Sequence, residues 1–458
     1  MNKDNQFIKN LEKALINPQI DLRGLTAKQQ FELINSKVAI HPEAIIPKPN
    51  KSNNELLDLF KKSKKTGKPL HIKFGIDPTG PNIHVGHAIS LLMLRRFRWM
   101  GHHIDLVVGD ATARIGDPSG RSSEREVLDA KTIKNNMSTY IKQASRILNL
   151  DIENDVKVWF NSKWLSSMKM VEDWLPILQK ISGHKLLERE DFTRRLKAGG
   201  TVSAAEMMYP MFMAYDSVVI KPDIELGGVD QLLNLHWCRE LMKLNNQKSE
   251  VFILVDLLPG TSGEKDEKGQ LTKMSKSKQN FIMLAEEPEE AYGKVMSIPD
   301  EVMWIWYREL TEISAQDLDE LKNTVSSGEI HPMEAKRLLA RAVVGTFNHY
   351  RKDIIQSAEE AFDQKFGKNK SLIPHDIEGI QARAGTKLID LLIKATGESK
   401  SNLKKITSQQ GSSGLRILNN KGYKQVLTDE LVNRTLEKKE VLVVNIGKRR
   451  YFKFLEKS

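Results

Sequence analysis

The chain of 458 residues contains a single cysteine, Cys238, so an internal disulfide and a zinc site built on several cysteines are both excluded. It also lacks any run of about 18 apolar residues, the length that a membrane-spanning helix requires. Internal repeats and low-complexity tracts are absent, and 28% charged with 40% hydrophobic residues is ordinary globular composition. A disulfide scaffold, a helical membrane protein and a mostly disordered chain are therefore excluded.

The N-terminal residues lack the features of a targeting segment. Residues 1–16 mix charged and apolar side chains at helical spacing, without the continuous apolar block of a secretory signal. They also lack the Arg- and Ser-rich, acid-poor character of an organelle transit peptide. We therefore expect a cytoplasmic protein.

Positive charge is concentrated at the C-terminal end. The chain has 70 Lys and Arg residues against 59 Asp and Glu residues, a net charge of +11. Residues 401–458 contain 13 basic and 5 acidic side chains, so this short segment holds most of the excess. Such a field favours a polyanionic partner, and an ordinary solubilising surface is the alternative.

Apolar runs alternate with helical patterns from residue 71 onward. Strands are predicted at 71–76, 104–109 and 251–257, with a helix at 84–100. This alternation predicts an α/β fold with a Rossmann-like, doubly wound parallel sheet covered by helices on both faces. Ligands bind such folds outside the carboxyl ends of the strands.

Composition divides the chain into four predicted parts. They are a helical extension at 1–69, the sheet-containing domain at 70–295, an α-helical domain at 296–372 and a small α+β domain at 380–458. A helix-rich segment at about 125–210 is predicted as an insertion in the sheet-containing domain. The Gly- and Lys-containing stretch before the last domain is predicted as a linker.

The sequence His84-Val85-Gly86-His87 opens the predicted helix at 84–100. A helix N-terminus offers unpaired N–H groups and a partial positive charge, and both favour an anion. His84 and His87 are three residues apart and share one helix face, while Gly86 lets a ligand come close to the backbone. Two surface histidines at a helix start are the alternative interpretation.

A second candidate site is the sequence Lys273-Met274-Ser275-Lys276-Ser277, in a polar loop after the predicted strand at 251–257. Two ammonium groups and two hydroxyls on a mobile loop suit a polyphosphate whose charge grows as pyrophosphate leaves. A basic solvated loop is the alternative. The presence of both motifs in this order argues against it.

The two motifs resemble the HIGH and KMSKS signatures of class I aminoacyl-tRNA synthetases. Further strings make the chain similar to the tyrosyl-tRNA synthetase family of bacterial type: Gly116-Asp117-Pro118-Ser119-Gly120-Arg121, Tyr209 with Tyr215-Asp216, and Gly227-Gly228-Val229-Asp230-Gln231. The resemblance runs from about residue 72 to 282 and more weakly to the C-terminus. It implies ATP-dependent activation of L-tyrosine with release of pyrophosphate, then transfer of the tyrosyl group to the 3′ end of tRNA(Tyr).

The resemblance assigns one group of residues to the nucleotide, which would enter as ATP with Mg²⁺, and it implies no tightly bound metal. Thr79 and His84 would hold the γ-phosphate, and His87 would approach the ribose. Lys273 and Lys276 would neutralise the departing pyrophosphate. The other residues implied in ATP binding are Gly75, Asp77, Gly86, Ser90, Gly228, Asp230 and Met274.

A second group would bind tyrosine. Asp117 would pair with the substrate ammonium, helped by Tyr209. Asp216 would accept the phenolic hydrogen bond, and Gln231 would lie near the substrate carboxylate. A buried acceptor makes chemical sense, because phenylalanine would leave it unpaired.

Two residues of the tyrosine group depart from the family pattern. Lys73 occupies the position where many members place a tyrosine that contacts the substrate hydroxyl, so its ammonium either points away or pairs with a carboxylate. Met213 stands in place of a glutamine that touches the substrate ammonium, and a thioether is only a weak acceptor. Amino-acid affinity is the property that these departures affect.

The end of the chain, from about residue 380, resembles an S-four-type RNA-binding domain. The resemblance implies that this module helps to hold tRNA, that the preceding helical domain faces the anticodon, and that the enzyme is a homodimer. Basic residues would contact RNA phosphates. The candidates are Lys404, Lys405, Arg416, Lys448, Arg449 and Arg450.

Two other functions stay open from the sequence. One is an RNA-binding protein on a synthetase scaffold, for example a splicing helper. The other is a synthetase-like enzyme for a different amino acid, which Met213 motivates. The intact motif residues His84, Lys273 and Asp216 argue against a scaffold without catalytic activity.

Overall fold

The computed structural model describes most of the chain. The described ranges are 3–50, 52–119, 128–150, 155–187, 189–275, 278–366, 379–407, 415–419, 422–426, 428–437, 441–446 and 450–456. They fall into two compact units, Met1–Ala358 and Glu359–Ser458. The predicted boundaries at 69 and 295 therefore lie inside the first unit and do not separate compact bodies.

A mostly parallel sheet forms the centre of the first unit. Its strands are β1 (Ile45–Ile46), β2 (His71–Ile76), β3 (His103–Val108), β4 (Val156–Phe160), β5 (Ile224–Gly228) and β6 (Val251–Val255). Among the described residues their order is β1-β6-β5-β2-β3-β4, and all neighbours are parallel except β1 and β6. The predicted α/β fold with a doubly wound parallel sheet is confirmed.

The first unit also contains sixteen helices among the described residues, the last of which continues into the second unit. They are α1 (Lys3–Ile16), α2 (Ala27–Asn35), α3 (Glu55–Thr66), α4 (Val85–Trp99), α5 (Ala130–Leu148), α6 (Ser162–Leu165), α7 (Leu175–Leu178), α8 (Gly183–Leu187), α9 (Glu190–Lys197), α10 (Ala204–Ile220), α11 (Leu232–Leu244), α12 (Pro288–Met296), α13 (Asp300–Leu310), α14 (Ala315–Ser326), α15 (Pro332–Phe347) and α16 (Lys352–Phe366). Side-chain caps fix several starts: Ser203 and Glu206 form a capping box at α10.

The structure differs from the prediction in the segment at 125–210. That segment was expected to be a helical insertion, but β4 lies within it and pairs with β3 in parallel register. The helix α5 connects these two strands, as a parallel pair requires. Among the described residues, the short helices α6–α9 lie between β4 and α10, and the partly buried strand β4 was missed in the sequence analysis.

The N-terminal residues are built into the first unit. β1 adds an antiparallel edge to the sheet, with Ile45 opposite Ile253. Lys37 is buried and its ammonium donates to the backbone carbonyls of Arg308, Thr311 and Ile313 at 2.9–3.2 Å. This lysine therefore joins the segment after α2 to backbone carbonyls at and just beyond the end of α13.

The strand order reverses between β2 and β5. The chain winds from β2 through β3 to β4 on one side, and from β5 to β6 on the other. In such sheets a crevice opens at the carboxyl ends of the strands beside this reversal. Asp77 directly follows β2 and Gly228 ends β5, so both lie at this crevice.

The second unit is a smaller α+β body. Its strands are β7 (Gly379–Ala382), β8 (Leu415–Asn419), β9 (Gly422–Gln425), β10 (Val441–Ile446) and β11 (Arg450–Glu456), and its further helices are α17 (Leu388–Thr396), α18 (Lys400–Thr407) and α19 (Thr428–Asn433). The strands form one sheet in the order β7-β11-β10-β8-β9. An apolar core that includes Leu392, Leu403 and Phe454 joins the helices to it.

Within the described ranges, every helix is either too short or too polar to cross a bilayer.

Candidate active site

A cavity of about 960 Å³ opens at the strand reversal of the first unit. Most residues assigned to substrates in the sequence analysis line it. They are Gly75, Asp77, Thr79, His84, Gly86, His87, Ser90, Asp117, Tyr209, Met213, Asp216, Gly228, Asp230, Gln231, Lys273 and Met274. The structure therefore brings together motifs that are separated by up to two hundred residues of chain.

The histidine motif forms the start of α4. His84 is the N-cap residue and the helix begins at Val85, whose amide donates to the Ile282 carbonyl at 2.8 Å. The rings of His84 and His87 lie 4.0 Å apart, so both imidazoles face one region of the cavity. A side chain at Gly86 would approach the His84 ring to 2.9 Å, so this ring requires a glycine there.

The lysine loop packs against the same helix start. Met274 is buried, and its amide donates to the Leu258 carbonyl at 2.8 Å. Its Cβ would lie 3.6 Å from a Cβ added at Gly86, so the two motifs are neighbours. Lys273 remains half exposed at the cavity and pairs with Asp230 at 3.3 Å. Lys276 lies outside the described residues.

Asp216 forms the buried end of the cavity. Trp164 Nε1 donates to its Oδ1 at 2.8 Å, and Asn161 Nδ2 donates to its Oδ2 at 3.3 Å. Burial raises the pKa of the carboxyl to about 7, and the ammonium of Lys73 opposes this shift, as do the bonds from Trp164 and Asn161. A carboxylate in this environment is suited to accept one further hydrogen bond from a hydroxyl group.

Asp77 lines the cavity and also accepts hydrogen bonds from two neighbouring side chains. The Thr112 hydroxyl donates to its Oδ1 at 2.7 Å, and the Tyr209 hydroxyl donates to its Oδ2 at 2.9 Å. Burial raises the pKa of Tyr209 well above its usual value, and the negative charge of Asp77 adds to this, so the hydroxyl stays neutral. Asp77 thus fixes Tyr209, a predicted partner of the substrate ammonium.

A second fixed carboxylate lies near the turn after β5. Gln231 Nε2 donates to Asp117 Oδ2 at 2.6 Å, and the Ser119 amide donates to Oδ1 at 3.0 Å. Asn234 Nδ2 donates to the side-chain oxygen Oε1 of Gln231 at 2.9 Å, and this bond orients the glutamine amide. Asp117 and Gln231, predicted from separate strings, are therefore direct partners.

Lys73 is placed differently from the other predicted tyrosine contacts. It does not line the cavity among the described residues, although it was assigned to the substrate. Its fully buried ammonium pairs with Glu225 at 2.8 Å, which is the carboxylate pairing that its sequence position left open. The parallel register of β2 and β5 sets Lys73 opposite Glu225 and so determines this contact.

Some residues that shape the site were missed by the sequence analysis. Asn161 and Trp164, which hold Asp216, follow the carboxyl end of β4. Thr112, which holds Asp77, lies in the turn after β3. The available signal was a polar residue directly after an apolar strand, because the ends of parallel strands meet at one edge.

The predicted RNA contacts lie in the second unit. Lys404 and Lys405 are exposed on α18. Arg416 on β8 is bonded to the Asn445 side chain on the neighbouring β10, with its Nε 3.1 Å from Asn445 Oδ1. Lys448, Arg449 and the Arg450 side chain lie outside the described residues; the Arg450 backbone starts β11.

Comparisons with known proteins agree with this geometry. The family described as tRNA synthetases class I (W and Y) matches residues 64–367. A tyrosine–tRNA ligase of Carboxydothermus hydrogenoformans is 35% identical over 435 residues, which cover 93% of this chain and 98% of that protein. One of Dehalococcoides mccartyi is 38% identical over 355 residues, which cover 77% of this chain and 86% of that protein.

Solved structures support the fold. A C-terminally truncated mitochondrial tyrosyl-tRNA synthetase of Aspergillus nidulans has a TM-score of 0.57 and 18% identity, covering 79% of this chain and 99% of its own. The tyrosyl-tRNA synthetase of Archaeoglobus fulgidus, complexed with L-tyrosine, has a TM-score of 0.57 and 20% identity, covering 72% of this chain and 100% of its own.

Proposed function

The chain belongs to the class I tRNA synthetases of the tryptophan and tyrosine type, and we propose that it is a tyrosine–tRNA ligase. It activates L-tyrosine with ATP to tyrosyl-adenylate, releases pyrophosphate, and transfers the tyrosyl group to the 3′ end of tRNA(Tyr). The observation that carries the proposal is one cavity with phosphate-binding motifs at one end and a buried carboxylate, Asp216, at the other. Relatives named as tyrosine–tRNA ligases support it.

The chemistry needs positioning more than proton transfer. The tyrosine carboxylate is ionised at neutral pH and attacks the α-phosphate of ATP without a general base. Asp117 and Tyr209 bind the substrate ammonium, and Gln231 binds near its carboxylate. This set holds the nucleophile in line with the α-phosphate.

The nucleotide end of the cavity stabilises the leaving group. His84 and Thr79 hold the γ-phosphate, while His87 lies near the ribose. Mg²⁺ enters with ATP as part of the substrate. Lys273, which pairs with Asp230 at 3.3 Å, supplies positive charge together with Lys276 as pyrophosphate departs.

The second unit contributes RNA binding. Its exposed Lys404 and Lys405 offer positive charge to phosphates, and phosphate contacts of this kind supply most of the affinity for nucleic acid. The helices around α13–α15 of the first unit correspond to the predicted anticodon-side domain. A cytoplasmic location is part of this proposal.

The enzyme is a homodimer in this proposal. The helical turn Met170–Trp174, directly before α7, exposes large apolar side chains: Met170 is 69% exposed and Val171 is 65% exposed. Adjacent exposed apolar residues of this size are typical of subunit contacts. Light scattering should therefore give twice the chain mass, and Val171→Asp should lower that mass.

An exchange assay tests the function. Purified protein is incubated with ATP, labelled pyrophosphate and each of the twenty amino acids in turn, and tyrosine alone should support rapid exchange. Charging of a bacterial tRNA(Tyr) transcript should then follow. Exchange with a different amino acid would favour a synthetase of other specificity, and no exchange at all would favour an RNA-binding scaffold.

A further inference from the structure

A buried charged network crosses the sheet beside the tyrosine end of the cavity. Lys73 on β2 and Glu225 on β5 are Cα partners in neighbouring parallel strands, so their side chains lie on one face of the sheet. Both are fully buried, with the Lys73 ammonium 2.8 Å from Glu225 Oε1. A buried ion pair is weak evidence for stability, since apolar residues of similar volume often serve as well. The pair therefore invites a functional explanation.

Ser217 joins this network to the helix that carries Asp216. The Lys73 ammonium donates to Ser217 Oγ at 2.7 Å, and Ser217 Oγ lies 3.0 Å from Glu225 Oε2 and 3.2 Å from Glu250 Oε1. Ser217 directly follows Asp216 on α10. The ammonium is thus fixed beside the residue next to the candidate hydroxyl acceptor.

The network has one cation, Lys73, and at pH values above about 7 it has two anions. Burial and the negative charge of Glu225 raise the pKa of Glu250 well above its usual value, so Glu250 is neutral. Burial would raise the pKa of Glu225 too, but the charge of Lys73 and the hydrogen bonds with Glu250, Lys73 and Ser217 together lower it. The anions are therefore Glu225 and Asp216, and both depend on Lys73 for compensation.

The other groups around this network are neutral or lie farther along the cavity. Burial raises the pKa of the Cys238 thiol on α11 and of the Tyr209 hydroxyl on α10 well above their usual values. Asp77 and Asp117 interact with Tyr209. Trp164 and Asn161, from the segment after β4, donate hydrogen bonds to Asp216 and carry no charge.

We propose that Lys73 is a positioning residue for substrate selection, whose buried ammonium keeps the Asp216 carboxylate ionised so that it accepts the hydroxyl hydrogen of tyrosine. This inference rests on the proposed function. A protonated Asp216 would direct its own hydrogen at the substrate and distinguish tyrosine from phenylalanine less well. Glu225 has the opposite effect, because its negative charge disfavours a second anion nearby.

The test compares two variants of opposite charge. For the wild-type protein, kcat/KM for tyrosine in pyrophosphate exchange at saturating ATP should rise with pH, with a midpoint near the Asp216 pKa of about 7. Lys73→Met should move this midpoint to higher pH by about one unit or more, and Glu225→Gln should move it to lower pH. At neutral pH, Lys73→Met should reduce the preference for tyrosine over phenylalanine about tenfold.

Glu250→Gln is the matched control, because it alters the same network without removing a charge. The pH midpoint of kcat/KM for tyrosine in this variant should equal the wild-type midpoint. If Lys73 and Glu225 had only a structural role, the pH midpoints of the two variants would shift in the same direction or stay unchanged. If Lys73→Met fails to fold, the Glu225→Gln variant still tests the inference, because its pH midpoint should move to lower pH. Wild-type protein that does not activate tyrosine would overturn the proposed function together with this inference. An active wild type whose two variants keep the midpoint or move it the same way would overturn the inference alone.

Discussion

The two ends of the cavity are built in different ways. At the proposed tyrosine end, Asp216 is buried and accepts hydrogen bonds from two side chains, and the next residue, Ser217, contacts the buried Lys73–Glu225 pair. At the proposed nucleotide end, Lys273 is half exposed on a loop and pairs with Asp230 at 3.3 Å. One end is preorganised by buried hydrogen bonds, and the other presents its cation on a half-exposed side chain.

The difference follows from what each end must do. Selecting a hydroxyl group requires an acceptor that is dry and immobile, because water or a flexible side chain would satisfy either substrate. Stabilising pyrophosphate requires positive charge that increases its contact during the reaction and then releases the product. The comparison predicts that substitutions at the two ends change different kinetic constants.

The largest effect is expected at the nucleotide end. Lys273→Met removes a cation that acts on charge developing in the transition state, so kcat for adenylate formation should fall about 100- to 1000-fold. KM for tyrosine should change little, because Asp216 and its donors lie at the other end of the cavity. Stopped-flow measurement of tyrosyl-adenylate formation provides both constants.

Lys278→Met is the control for this substitution. Lys278 lies close by in sequence, is exposed to a similar degree, and pairs with Glu264 rather than with a cavity residue. Its kcat should remain close to wild type. Equal losses in the two variants would mean that general loop charge, and not Lys273 itself, assists the reaction.

A smaller effect is expected at the tyrosine end. Asp216→Asn replaces a charged acceptor by a neutral amide, so KM for tyrosine should rise about 10- to 100-fold, as expected for the loss of a hydrogen bond to a charged group. KM for ATP should stay near the wild-type value. Phenylalanine is the matched substrate, since it has no hydroxyl and its kcat/KM should not fall. A parallel loss for both amino acids would assign Asp216 to structure instead of selection.

The contrast between the two ends also explains what the sequence could reveal. The histidine motif and the lysine motif are each a short continuous stretch of sequence, so their residue types and spacing alone indicated the nucleotide end. Strand β2 was also predicted with its observed bounds. Local signals were sufficient wherever one short stretch of chain builds the feature.

The support of the tyrosine end could not be predicted in this way. Asp216 was identified by resemblance, but its partners Trp164 and Asn161 come from a segment that the sequence analysis assigned to a helical insertion. The contact of Lys73 depends on the register between β2 and β5, which a single sequence does not encode locally. Long-range pairing therefore separates what was predicted from what the structure added.

The smallest effect is expected from a change outside both ends. Lys404→Gln with Lys405→Gln removes two exposed charges from α18 in the second unit, so tRNA binding should weaken about three- to tenfold at moderate salt. The slope of log affinity against log salt should fall by about one to two, because fewer counterions are displaced. Filter binding across a salt series measures both quantities.

Tyrosine activation without tRNA should be unaffected, since every residue assigned to it lies in the first unit. A changed KM for tyrosine or ATP in this double variant would show that the two units communicate. The assignment of amino-acid selection, nucleotide binding and RNA binding to three separate regions would then fail.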